Sequence, residues 1–273
     1  MNRNLKQKLS YVKLYLGIGI SLAVVFSILT LIIVNGFRHL SFEFVFSLNA
    51  PVGHSLAPML ITTLIVVVLT LLISAPIGIG AAIYLNEYAS DKSPFVKFIR
   101  MAVETLSGIP SIIYGLFGFL FYVLILQWSW SILSGVFTVA IMILPIIIRS
   151  TEEALKSVPV SYRMGSFALG AGKFYTIRKV ILPSAINGIL ASIILSIGRL
   201  VGETAALLLT AGTIASMPSS LFSSAATLSV FMYTITVESA DMDRAYATAI
   251  VLMLLVLSLN LIANFIAKKL KKG

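Results

Sequence analysis

The chain has no cysteine and little charge, and both absences restrict what it can be. Asp, Glu, Lys and Arg make up only 11% of its 273 residues, whereas soluble domains carry about 25%. A soluble fold could not cover a chain that is 59% hydrophobic with so thin a polar surface. The absence of cysteine excludes disulfides, thiolate metal sites and a lipid-modified cysteine anchor.

Catalytic motifs are also missing. The sequence contains no G-x-x-x-x-G-K-[ST] phosphate loop, so the chain does not bind ATP by that device. Neither H-E-x-x-H nor a nucleophile elbow occurs. His39 and His54 have no carboxylate at ligand spacing in the sequence. We therefore expect no enzymatic activity, no metal site and no cofactor in this chain.

Long apolar runs are what the sequence does contain. A run of roughly 20 residues crosses a hydrocarbon core of about 30 Å. The first run follows a basic tail, but it is too long for a signal peptide and no small-residue cleavage site follows it. The six predicted transmembrane helices cover 14–34, 58–84, 109–126, 132–148, 185–211 and 245–267.

Basic residues are distributed unevenly between the two sides of these spans. All but three of the 20 Lys and Arg residues lie before the first span, after the last, or in the loops that follow spans two and four. Because cytoplasmic loops collect Lys and Arg, both termini are predicted to be cytoplasmic, and no nucleic acid is needed to explain the net charge. The sequence thus predicts an all-α polytopic membrane protein, with one transmembrane domain over 1–273. A run at 228–235, on the outer side, is predicted to be a short re-entrant or interfacial helix.

The cytoplasmic loop between the fourth and fifth spans, about 149–180, is longer than a simple connection requires. After Pro159, Ser161 is placed to cap a new helix, which Gly170 would end. A second helix is predicted to start at Lys173 and to run into the fifth span. The loop could be an amphipathic helix on lipid headgroups or a docking surface for a cytoplasmic partner, and its length fits both.

This loop resembles the coupling-loop signature of ABC importer permeases, E-A-A-x3-G-x9-I-x-L-P. Gly170, Val180 and Leu182-Pro183 fall in register, whereas the Glu-Ala-Ala triplet falls on Met164-Gly165-Ser166 and lacks its acidic residue. In that family the short helix sits in a groove of the ATPase subunit and transmits its motion. The resemblance implies that Arg163 offers charge to the ATPase and that the docking residues are Arg163, Met164, Gly165, Ser166, Gly170, Lys173 and Pro183.

Three further stretches resemble phosphate importer permeases. They are A-P-I-G-I-G-A-A-I-Y-L-N-E-Y at 75–88, G-I-P-S-I-I-Y-G-L-F-G at 108–118 and R-L-V-G-E-T-A-A-L-L-L-T-A-G at 199–212. With the coupling loop, they make nearly the whole chain similar to the PstA type of phosphate ABC permease. The Y-L-N-E-Y stretch and the short first outward segment favour PstA over the sister PstC type.

The resemblance implies a type I ABC importer permease fold in a bacterial or archaeal plasma membrane. It also implies a PstC-type second permease, a PstB-type ATPase dimer that binds ATP and Mg²⁺, and an extracytoplasmic PstS-type protein that binds phosphate. The substrate would be inorganic phosphate.

Two charged residues, Arg199 and Glu203, fall near the middle of the fifth predicted span, where a charge costs about 2.5–3.5 kcal/mol on insertion scales. Four residues apart on one helix, they would share a face and could pair. The pair could simply lock helix packing. Alternatively, Arg199 presents its guanidinium to a permeating oxyanion, with Glu203 holding it and Thr204 adding a hydroxyl.

A Gly-Ile-Pro-Ser motif begins the third span at Gly108. It could be an ordinary helix start or a place where free N–H groups attract an anion. Gly115 and Gly118 in this span are expected to let helices approach closely. The predicted translocation path consists of Arg199, Glu203, Thr204, Pro110 and Ser111.

Other classes of function compete with this prediction. A secondary transporter or channel would use the same spans without an ATPase, and would usually show an internal repeat, which we do not find. A membrane-embedded enzyme would need several reactive groups at one depth. A sulfate or molybdate permease would use the same chemistry, and only the resemblance selects phosphate.

Overall fold

The computed structural model describes residues 3–48, 51–90 and 92–270, and all regular structure within these ranges is helical. Three π-helical turns, Tyr84–Tyr88, Phe119–Ile125 and Ile177–Ile181, continue α3, α5 and α8. The α-helices of the described ranges are α1 (Arg3–Phe37), α2 (Phe42–Phe46), α3 (Ala57–Ile83), α4 (Pro94–Ser107), α5 (Ser111–Gly118), α6 (Ile132–Lys156), α7 (Val160–Ala168), α8 (Lys173–Thr176), α9 (Leu182–Val201), α10 (Ala205–Thr210), α11 (Leu228–Val237) and α12 (Met242–Leu270).

The six predicted spans are confirmed, with one modification. Five helical stretches in the described ranges are long and apolar enough to cross a membrane, and the bent pair α4–α5 supplies the sixth. These two helices meet at 102°. Pro110 stands at the bend, and a proline disfavours helical conformation in the residue before it. The sequence analysis did not predict α4, because its apolar residues are too few to form a span.

The centre of the bundle is α6, which packs against α3 on one side and α9 on the other. Ile143 and Ile147 on α6 are completely buried. Small residues bring the backbones together, since a Cβ atom placed on Gly78 of α3 would lie 2.7 Å from Cγ2 of Ile147. Such close approach replaces the hydrophobic force that is missing between helices in lipid.

The fifth span differs from the continuous helix predicted for 185–211. The helix α9 ends at Val201, the chain leaves helical geometry, and α10 starts at Ala205. Irregular backbone at membrane depth is tolerated only where it is buried in protein or lines a cavity. The break is therefore expected to be buried in protein or to line a cavity.

The run at 228–235 is confirmed as helical and forms most of α11. The N-terminus of α11 is buried, and the N–H of Leu228 donates to Oγ1 of Thr63 on α3 at 2.9 Å. The hydroxyl of Ser229 donates to the carbonyl of Glu203 at 2.6 Å. The start of α11 thus supports the break between α9 and α10.

The first helix, α1, packs along α12 and leaves its apolar faces otherwise uncovered within the chain. The two helices lie close together at Gly36, where a Cβ atom would lie 2.5 Å from the carbonyl oxygen of Tyr246 on α12. Just after α1, His39 places its Nε2 3.5 Å from Oδ2 of Asp243 in the first turn of α12. Asp243 thus places a carboxylate beside His39, although the sequence spacing indicated no acidic neighbour for this histidine.

Candidate functional site

The break between α9 and α10 is built by backbone and side-chain capping. Gly202 ends α9, and the carboxylate of Glu203 accepts the N–H of Ala206 through Oε1 at 3.1 Å. A side-chain oxygen that accepts an N–H in the first turn satisfies one of the unpaired donors at a helix start. Glu203 is buried, and Thr204 is half-buried with its hydroxyl 3.4 Å from the carbonyl of Gly202.

The predicted pairing of Arg199 with Glu203 is wrong. The two residues are four apart, but the helix ends at Val201, so they do not occupy one continuous helix face. Glu203 caps α10 instead. Arg199 lies in the last turn of α9, is exposed, and makes no ion pair within the described part of the chain.

The start of the third span approaches the same break. Gly115 on α5 packs against α10, and a Cβ atom there would lie 2.8 Å from Cα of Ala206. The neighbouring Tyr114 is buried and lies within electrostatic reach of Arg199. Its hydroxyl donates to the carbonyl of Leu106 at 2.8 Å, which fixes the corner between α4 and α5.

The remaining predicted path residues lie at this corner. Pro110 precedes α5 and is exposed, and Ser111 is the first residue of α5 and half-buried. Pro110 and Ser111 thus stand at the start of α5, Glu203 and Thr204 stand just before α10, and these two helices pack against each other. Gly118 has the expected packing role, since a Cβ atom there would overlap the side chain of Thr138 on α6.

The cytoplasmic loop contains the predicted short helix, α7, although Pro159 rather than Ser161 precedes it and Ser161 makes no cap. Gly170 ends it as predicted, with φ at +81°. The N–H of Gly170 donates to the carbonyl of Phe167 and the N–H of Ala171 to that of Ser166, at 2.9 and 3.2 Å. This is the Schellman arrangement that closes helices with a glycine in the left-handed region.

Arg163 does not offer its charge outward, as the sequence analysis expected. Its side chain is 17% exposed, and its NH2 lies 2.9 Å from Oε1 of Glu87, whose side chain is 7% exposed. The same guanidinium donates to the carbonyls of Val158 and Leu155, at 2.9 and 3.0 Å. Arg163 therefore fastens α7 to the body of the molecule.

Ser166, one turn after Arg163, also faces inward. It is buried, and its hydroxyl lies 2.8 Å from that of Thr176 on α8. Its hydroxyl is therefore engaged within the loop, although Ser166 also lines the groove beside α7, so its docking role stays a prediction. A Cβ atom placed on Gly165 would meet no other atom within 4 Å, and Met164 is 63% exposed.

The outward face of the loop is apolar and open. Residues of α7 and of the following turn surround a groove of about 730 Å³. Leu169, at the end of α7, is 90% exposed. Lys173 places its Nζ 4.9 Å from the ring centre of Tyr88, and Pro183 is an exposed residue in the first turn of α9. Exposed apolar side chains around a groove are typical of a protein interaction surface.

Sequence reasoning missed two acidic residues that organise the cytoplasmic face. Glu87 was part of a quoted motif but had no assigned role. Glu152 on α6 is buried and has Oε1 3.0 Å from NH2 of Arg100 on α4 and 2.8 Å from Nζ of Lys156. The available signal was a carboxylate placed just beyond an apolar run, where the chain leaves the membrane.

Together, the membrane-spanning bundle, the broken fifth span and the exposed cytoplasmic loop helix define a multi-pass membrane permease. Comparison with known proteins specifies its family. Residues 74–272 match the family model described as binding-protein-dependent transport system inner membrane component. The chain belongs to this family, and it is an inner-membrane permease component of the ABC importer class.

Two curated relatives illustrate the similarity. The probable ABC transporter permease protein YqgI of Bacillus subtilis (strain 168) is 32% identical over 290 residues, covering 100% of this chain and 98% of that protein. The phosphate transport system permease protein PstA of Mycobacterium leprae (strain TN) is 35% identical over 202 residues, covering 73% of this chain and 66% of that protein.

Among solved structures, a bacterial alginate ABC transporter in complex with an alginate-bound periplasmic protein has the same fold. Its matching chain gives a TM-score of 0.70 at 17% identity, over 98% of this chain and 96% of that chain. At this identity the similarity concerns the fold alone.

Proposed function

We propose that the chain is the permease subunit of an ATP-driven phosphate importer. A second, PstC-type permease would complete the translocation path, and a PstB-type ATPase dimer would bind ATP and Mg²⁺ on the cytoplasmic side. A PstS-type protein would deliver phosphate from outside. The similarity to proteins named for phosphate transport supports this substrate.

One observation carries the proposal for the path. Arg199 is an exposed cation at the end of a membrane helix, and it has no ion-pair partner in the described ranges. A charge at bilayer depth normally faces a bundle interior or a water-filled cavity. A guanidinium offers planar donors that match two oxygens of a tetrahedral oxyanion. We assign Arg199 as the residue that phosphate passes.

The neighbouring residues have supporting roles in this proposal. Glu203 and Thr204 hold the break that ends α9 next to Arg199. Pro110 and Ser111 start the helix that packs against the break, through Gly115 and Ala206. The exposed groove of the loop helix would receive the ATPase, with Gly165, Ser166 and Gly170 lining it, and Met164 and Lys173 exposed on α7 and α8.

The test is uptake of radiolabelled phosphate by cells that lack their own subunit and carry either this chain or a variant. We expect Arg199→Gln to reduce uptake at least tenfold and Arg199→Lys to be intermediate, because lysine keeps the charge but loses the planar fork. Arg244→Gln is the matched control, since Arg244 lies in α12 and pairs with Asp241 at 3.3 Å. Normal uptake by Arg199→Gln at wild-type membrane levels would refute the path assignment.

The same cells distinguish the alternatives. A phosphate importer should lose uptake when the ATPase gene is deleted, and an excess of unlabelled phosphate should compete better than sulfate or molybdate. Uptake that persists without the ATPase would favour a secondary transporter or channel. Stronger competition by sulfate or molybdate would identify a permease for another oxyanion.

A further inference from the structure

One arginine connects three elements at the cytoplasmic face. Arg163 belongs to α7, and its guanidinium contacts the carboxylate of Glu87, in the π-helical turn that continues α3. It also donates to the carbonyls of Leu155 and Val158, at the end of α6. Both α3 and α6 are membrane spans of the central bundle. A single side chain thus fixes the loop helix to the ends of two spans.

The contact between Arg163 and Glu87 is shielded from water. The two side chains are 17% and 7% exposed, and Oε1 of Glu87 also accepts from Nδ2 of Asn86 at 2.7 Å. Surface ion pairs contribute little because water and salt screen them. A shielded pair behaves differently, since removing one partner leaves an uncompensated buried charge. This pair therefore resists separation when the loop helix moves.

The loop helix has few other polar links to α3. The chain runs covalently from α6 into α7 and from α8 into α9, whereas Glu87, at the end of α3, is 76 residues away from Arg163 in sequence. In the described ranges, the other charged contact between the loop and the end of α3 is Lys173 over the ring of Tyr88. Both of these residues are exposed, so the contact is weaker than the shielded ion pair.

We propose that Glu87 and Arg163 are positioning residues that transmit movement of α7 to α3 and α6, so that the loop helix and the two spans move as one body. The proposal rests on the proposed function, because it takes α7 to be the ATPase docking helix. The pair lies behind the docking surface, since Tyr162 and Met164 on the same helix are exposed. Loss of the pair should therefore weaken the coupling of ATP hydrolysis to transport without preventing the ATPase from binding.

The experiment measures phosphate uptake and ATP hydrolysis together in proteoliposomes containing the complete importer. The test variant is Glu87→Gln, which keeps size and removes charge. The matched control is Glu153→Gln, because Glu153 pairs with Arg149 at 3.3 Å on the same face, but with both side chains more than half exposed. Docking is followed with a photo-cross-linker on Met164→Cys, which is the only cysteine in the variant chain.

We expect Glu87→Gln to lower the phosphate transported per ATP hydrolysed at least fivefold while cross-linking to the ATPase persists. The control Glu153→Gln should match wild type. An unchanged ratio in Glu87→Gln would refute the proposal. Loss of the cross-link together with uptake would also refute it, because the pair would then act through docking. If wild-type uptake needs no ATP, the proposed function itself fails and the inference falls with it.

Discussion

Three arginines of this chain carry the same charge into different surroundings. Arg163 is shielded and bound to one carboxylate and two carbonyls, and Arg244 pairs with Asp241 three residues away. Arg199 is exposed on a membrane helix without an ion pair in the described ranges. Arg163 contributes to structure because its donors are occupied. Arg199 can serve a ligand because its donors are available.

Substitutions of Glu203 can separate the effect of its charge from the effect of its hydrogen bond to α10. Its Oε1 accepts the N–H of Ala206 in the first turn of α10. Glu203→Gln keeps an oxygen that can accept this bond, whereas Glu203→Ala leaves the N–H without it. We expect the alanine variant to lose about 0.5–2 kcal/mol, as for other lost helix caps.

The measurement is the thermal unfolding midpoint of the purified complex. A loss of about 1 kcal/mol corresponds to roughly 2–4 °C for chains of 150–250 residues, so Glu203→Ala should unfold a few degrees lower and Glu203→Gln close to wild type. Phosphate uptake by the stable glutamine variant then reports the charge alone. If glutamine destabilises as much as alanine, the carboxylate charge matters more than the cap.

At the scale of elements, the loop helix depends on how it ends. Gly170 has φ at +81° and no atom within 4 Å of a Cβ position, so space is available but the backbone is not suited to most residues. Asparagine visits this left-handed region more readily than other residues with side chains, whereas β-branched residues are strained there. Substitutions at Gly170 can therefore separate the effect of backbone conformation from the effect of side-chain size.

We expect Gly170→Asn to retain most phosphate uptake and Gly170→Val to lose at least fivefold, because valine disturbs the turn that presents Leu169. Both variants are assayed in the complementation strain, with membrane levels and cross-linking to the ATPase measured in parallel. Equal, normal uptake by both would contradict a role for this turn in docking. Equal loss in both would indicate that the space above Gly170, rather than its backbone, is needed by the partner.

The spans could be predicted from the sequence because they depend on local composition, as the runs at 14–34 and 132–148 illustrate. The end of the loop helix could also be predicted locally, from the glycine at position 170. The bend at Pro110 was not predicted because α4 is too polar to be recognised as part of a span, and the break after Val201 was not predicted because the apolar residues on both sides of it form one long run.

The candidate site was predicted less completely than the fold. Arg199 stood out because a charge interrupts an apolar run, but its partner was wrongly assigned from helical spacing. The Glu87–Arg163 pair spans 76 positions, and such a contact follows from tertiary packing that one sequence does not reveal. The docking role of Ser166 came from a motif alignment, which does not indicate that its hydroxyl contacts Thr176 on α8.

At the scale of the whole molecule, the two ends of the bundle differ in charge and in structure. The end with α4 and α7 carries the ion pairs of Glu87 and Glu152 and the exposed groove. The opposite end carries the contact between His39 and Asp243 and the start of α11 inside the bundle. This asymmetry matches the basic loops that predicted a cytoplasmic side. The asymmetry agrees with the proposal that the ATPase binds at one end of the bundle and phosphate enters at the other.

The orientation can be tested with cysteines introduced one at a time, because the natural chain has none. Ser219 is exposed at the end predicted to face outward, and Ser90 and Lys268 are exposed at the opposite end. A membrane-impermeant maleimide applied to intact cells should label Ser219→Cys and spare Ser90→Cys and Lys268→Cys until the membrane is permeabilised. The reverse pattern would place the groove of α7 outside, away from any cytoplasmic ATPase. Labelling of Lys268→Cys together with Ser219→Cys would mean an even number of spans between these two residues, so that either α12 does not cross the membrane or α11 crosses it as well.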